Sequence, residues 1–80
     1  MSLDYQQIRQ GACYSNGEFG KKWLVWQVAD ILAETDSVRF RILVGKNRRK
    51  YQTLLLTEFS IKMRYEVTLV ESTWQRVDKP

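Results

Sequence analysis

The apolar residues of this chain fall into short runs with a period near two, the spacing of strands half buried in a sheet, and polar or glycine-containing breaks separate them. Gly11 to Ser15 reads as a brief first strand. It ends at Asn16-Gly17, two residues that both tolerate positive φ, so Ser15 to Lys22 is a glycine-punctuated loop with Phe19 held between Gly17 and Gly20. Trp23 to Leu32 is rich in aromatic and β-branched residues and predicts a long second strand. Strict alternation puts Trp23, Val25, Ala29 and Ile31 on one face and Leu24, Trp26 and Val28 on the other. Such a strand is either central in a small barrel or covered on its second side.

A polar turn at Glu34 to Ser37 leads to Val38 to Val44, the cleanest alternation in the chain. Val38, Phe40, Ile42 and Val44 face inward, so Arg39 and Arg41 face outward. Gly45 to Arg49 is a hairpin turn and Lys50 to Leu56 its return strand. Thr57 to Ser60 opens a short helix, with Thr57 as the cap, Glu58 at the positive end of the dipole, and Phe59 with Met63 as an apolar i, i+4 pair. Tyr65 to Val70 resumes strand chemistry. Residues 1–10 form a polar arm, a short helical turn or a loose segment, and 71–80 form a tail in which Trp74 and Val77 dock.

These elements predict a mainly β chain, a single domain over 1–80 with its core in 11–70, folded as a five-stranded antiparallel barrel with one short helix before the last strand. The order resembles the SH3-like barrel, with a long first loop at Ser15 to Lys22, a distal hairpin at Gly45 to Lys50 and a helical turn before the final strand. The acidic first loop and the neighbouring tryptophan pair of a signalling SH3 domain are missing, so the resemblance implies the barrel without a groove for proline-rich peptides. The pattern Tyr14-x-Asn16-Gly17-x-Phe19-Gly20-x-x-Trp23-x-Val25 is similar to that of small uncharacterised bacterial proteins and brings no function with it.

Eighty residues, 44% of them apolar, suffice for one modest core. No run of about 18 apolar residues exists, the first residues lack the basic-then-apolar pattern of a secretory signal, and Cys13 is the single cysteine. The expected location is cytoplasmic, away from membranes, and the expected role of Cys13 is that of a small near-core residue.

Charge changes the picture more than composition does. The net charge is +4, yet its distribution is uneven: Ser37 to Thr57 holds Arg39, Arg41, Lys46, Arg48, Arg49 and Lys50 with no acidic residue. Strand alternation and the adjacent turn can gather all six into one patch suited to phosphates. The same charges can also serve only to keep a hairpin tip soluble and to protect its edge from pairing.

Catalytic machinery is not evident. The chain has no histidine, which removes the commonest general base and metal ligand, and one cysteine cannot build a thiolate zinc site. Asp30, Glu34 and Asp36 surround a turn and read as solvated charges, and Gly17 to Lys22 is too short for a phosphate-binding loop. No metal, no cofactor and no enzymatic activity are expected.

Ten aromatic residues exceed what so small a core requires, and stacking on bases is one use for rings interleaved with cations. Tyr14, Phe19, Trp26 and Tyr51 are the candidate contacts. Two functions follow from different classes. One is an accessory or regulatory module that meets nucleic acid, or an acidic protein, through the basic hairpin. The other is a protein-interaction module or homodimer using Leu24, Trp26 and Leu43 or an unpaired edge strand.

Overall fold

The computed structural model describes residues 5–18 and 22–77. Six antiparallel strands form one sheet: β1 (Cys13–Ser15), β2 (Val25–Leu32), β3 (Ser37–Val44), β4 (Tyr51–Leu55), β5 (Tyr65–Val70) and β6 (Thr73–Arg76). The order across the sheet is β4-β3-β2-β1-β5-β6, so β4 and β6 are open edges. The mainly β class, the antiparallel pairing and the helix between the fourth and fifth strands are as expected. Closure into a five-stranded barrel is not.

The sixth strand is the tail, and its turn explains why alternation missed it. Val70 pairs with Thr73, leaving Glu71 and Ser72 as a two-residue loop with φ of 49° and 67°. A tight hairpin of this kind needs positive φ at both positions and is normally signalled by Asn-Gly, not Glu-Ser. Instead of folding back across the core, β5 therefore takes β6 as its outer neighbour, and the sheet stays open. Trp74 docks as part of that strand.

One helix, α1 (Leu56–Lys62), covers one face of the sheet. The helix starts a residue before the expected cap, and no side chain caps it. The Leu56 N–H donates to the Asp36 carbonyl at 2.8 Å, so the turn between β2 and β3 meets the first free N–H of the helix. Phe59 and Met63 are fully buried against the sheet, as their spacing predicts. Phe59 lies 5.6 Å from Tyr14, 5.8 Å from Trp26 and 5.6 Å from Phe40, ring centre to ring centre. Ile8, from the N-terminal arm, closes the same core. The Tyr14 hydroxyl donates to the Gln7 carbonyl and accepts from the Arg9 N–H at 3.0 Å, while the Arg9 guanidinium pairs with Glu66 at 2.7 Å. Residues 6–9 are thus a docked arm.

Register shifts sort the long strand β2 differently from strict alternation. Val28 pairs with Phe40 and Asp30 with Arg39, so Ala29 is an extra residue in a bulge. Beyond it Ile31 pairs with Val38 and joins Trp26 and Val28 on the helix-covered side. Gln27 and Asp30 take the other side. The expected strand, apolar on both faces, is a bulged strand whose apolar residues lie mainly on the helix side, with Val25 buried on the other.

Candidate nucleic-acid interface

The face opposite α1 is where the basic residues lie. Register places Arg41 beside Tyr51 and Arg39 beside Thr53 on that face, and the arginines cluster on the ring: the guanidinium carbons are 4.7 Å (Arg39) and 6.0 Å (Arg41) from the Tyr51 centre. Such cation–π contacts hold long side chains in place without neutralising them. Tyr51 remains 50% exposed. The Arg41 Nε is buried without an acceptor.

The hairpin between β3 and β4 continues the patch. Its geometry is set by backbone: Ile42 donates to Lys50 at 2.9 Å, Arg49 to Ile42 at 2.7 Å and Lys50 to Asn47 at 3.1 Å. Gly45, Asn47 and Arg49 carry positive φ of 119°, 65° and 73°. Gly45 is required for space as well, since a Cβ there would lie 2.3 Å from the Leu24 Cδ2. Lys46, Arg48, Arg49 and Lys50 are all exposed. Among the described residues none of the six cations has a carboxylate within 4.0 Å; the ion pair between Arg9 and Glu66 lies elsewhere. Asp30 pairs with Arg39 in register, but its Oδ1 accepts the Ile31 N–H at 2.9 Å.

The aromatic candidates divide. Tyr14 is 0% and Trp26 6% exposed, both under α1, so neither offers a ring to a ligand. Trp26 stacks on Phe40 at 4.2 Å and 18°, which also removes it from any docking face formed with Leu24 and Leu43. Phe19, and with it Lys21, lies outside the described residues. Of the three described candidates, Tyr51 is the exposed ring on the basic face.

Two rings that alternation did not nominate lie on this face as well. Trp74 pairs with Leu69 and lines a cleft of about 590 Å³ with Cys13, Gln27, Leu43 and Val67. Tyr65 carries the Arg76 guanidinium 4.7 Å from its ring centre. Both belong to the β5–β6 hairpin, invisible without its turn. Trp23 is half-buried, with its indole N–H donating to the buried Ser15 hydroxyl at 2.8 Å. Asn16 fastens the loop it opens: its Oδ1 accepts the Glu18 and Leu24 N–H groups at 3.2 and 3.1 Å.

Burial, with a smaller push from the Glu66 charge, raises the pKa of Cys13 and so suppresses its thiolate. Asp30, Glu34 and Asp36 are exposed. Among the described residues no three histidine, cysteine or carboxylate side chains converge to hold a metal ion, and no helix is long and apolar enough to cross a membrane.

The architecture is thus an open antiparallel sheet with one helix-covered face and one basic, aromatic face. No family model, curated protein or solved structure matches the chain.

Proposed function

We propose that this chain is a small non-catalytic binding module that meets the phosphates of a nucleic acid through Arg39, Arg41, Lys46, Arg48, Arg49 and Lys50, as an accessory or regulatory factor. The observation that carries the reading is the contiguity of six cations without a carboxylate partner, on a strand face and the hairpin at its end. Clustered like charges repel, and a domain ordinarily dilutes them with acids. Arg49 adds support, because it occupies a left-handed backbone position at a cost of about 1 kcal/mol that glycine would avoid. The reading assigns the protein to the cytoplasm, where Cys13 stays reduced.

Titration of labelled oligonucleotides at two salt concentrations tests it. Four to six phosphate contacts give a log K against log salt slope of about −3.5 to −5.5 on duplex DNA. Absence of binding at low salt to both single-stranded and duplex oligonucleotides refutes it.

A second reading, a homodimer through an edge strand, is favoured by Leu55, which is 48% exposed on the open edge β4. A dimer that persists at high salt in sedimentation supports it.

A further inference from the structure

We infer that the nucleic acid this module takes is single-stranded, and that it lies across the sheet face opposite α1, from Tyr51 to the Trp74 cleft. The inference rests on the proposed function and adds to it. One register row crosses all six strands on that face: Tyr51, Arg41, Gln27, Cys13, Val67 and Arg76. With neighbouring strands about 4.8 Å apart, the row runs about 24 Å across the sheet. Its two ends carry cations held on rings, Arg39 and Arg41 at Tyr51 and Arg76 at Tyr65. Between them lies the cleft lined by Cys13, Gln27 and Trp74.

The order of these groups distinguishes the form of the nucleic acid. The hairpin offers point charges, which serve the phosphates of a duplex and a single strand alike. Rings and a cleft serve only bases whose faces are free, because in a duplex those faces are already stacked on one another. Tyr51 offers the exposed part of its ring beside two guanidinium groups that can meet the flanking phosphate. Trp74 walls a space that the Gln27 amide also lines, donating to the Gly11 carbonyl at 3.3 Å and offering its oxygen to a base edge. The charge of the row suits a polyanion: its charged members, Arg41 and Arg76, are both cations, and the Glu66 carboxylate next to Val67 is paired with Arg9.

The test is fluorescence anisotropy with labelled RNA and DNA single strands of about 16 nucleotides and a duplex of the same length. Both single strands, or one of them, bind more tightly than the duplex. Tyr51→Ala and Trp74→Ala each weaken single-strand binding about tenfold without changing the salt slope, and Tyr51→Phe and Trp74→Phe restore it. Equal affinity for single strand and duplex, with neither alanine variant having an effect, overturns the inference; the hairpin reading then survives if Arg48→Ala with Arg49→Ala still flattens the slope. Absence of binding to any of the three overturns both.

Discussion

Which face of the sheet is free depends on where α1 sits, and Phe59 tests that placement. Phe59 is fully buried and touches three aromatic rings of the sheet. Truncation to alanine removes its buried surface and leaves a cavity under a helix of seven residues, too short to persist without packing. Large-to-small core changes of this kind cost about 3–5 kcal/mol, of which each lost ring pair supplies about 0.5–1.5. A chain of 80 residues has about 4–12 kcal/mol in total. Phe59→Ala is therefore expected to remove from about a quarter to all of the total stability. Ile61, on the same helix and 71% exposed, is the control: Ile61→Ala stays within about 0.5 kcal/mol of the parent. Urea unfolding followed by tryptophan fluorescence and circular dichroism measures both. A cost below about 1 kcal/mol for Phe59→Ala, against the core range, means that α1 is not seated on this face. The assignment of Arg39, Arg41 and Tyr51 to an open face would then fall with it.

Three further outcomes follow from the backbone and the buried phenol. Gly45→Ala costs more than Gly11→Ala, because both have positive φ but only at Gly45 would a Cβ meet a side chain, Leu24; chemical denaturation should separate them by about 1 kcal/mol or more. Replacing Glu71 with Asn and Ser72 with Gly suits the two positive φ values of that turn, and an increase of about 0.5–1 kcal/mol in stability is expected; a lower melting temperature would refute the turn assignment. Burial raises the Tyr14 pKa above its ordinary value of 10.0, so the unfolded chain loses this proton first. Stability linked to Tyr14 is fully present below pH 10.0 and declines as pH rises toward the folded-state value; in Tyr14→Phe that decline is smaller.

The parts of the fold legible in the sequence are those where one rule acted without interference. Val38 to Ile42 alternates, and the structure keeps that phase, so Arg39 and Arg41 emerge opposite Phe40 and Ile42 as expected; a register shift beyond Ile42 sets Val44 opposite Val25 and outside the core under α1. Phe59 and Met63 are both buried in the core, as their spacing predicts, although Met63 is the extended residue that ends α1. The illegible parts are those where a distant group intervenes. The Asp36 carbonyl meets the Leu56 N–H that opens α1, and no local pattern announces a donor satisfied from 20 positions away. Glu71 and Ser72 adopt left-handed conformations that neither residue type advertises, so a strand and the open edge went unseen.

The bulge at Ala29 had the largest effect on function, because one inserted residue reverses the phase of everything beyond it. In an unbulged β2, Ile31 would share a face with Val25 and leave the helix side. The bulge instead sends Ile31 to the core with Trp26 and Val28, and turns Asp30 to the opposite face beside Arg39. Before the bulge the alternation holds: Trp26 is a core residue beside Phe59, and Gln27 lies in a polar row with Arg41 and Tyr51. Alternation could locate the cations because β3 is regular where they lie. It also nominated Tyr51, but it could not locate Trp74 on the same face, since that depends on the turn after β5. A basic hairpin was therefore readable from residue order, whereas a face on which cations, rings and a cleft share one row required the pairing of all six strands.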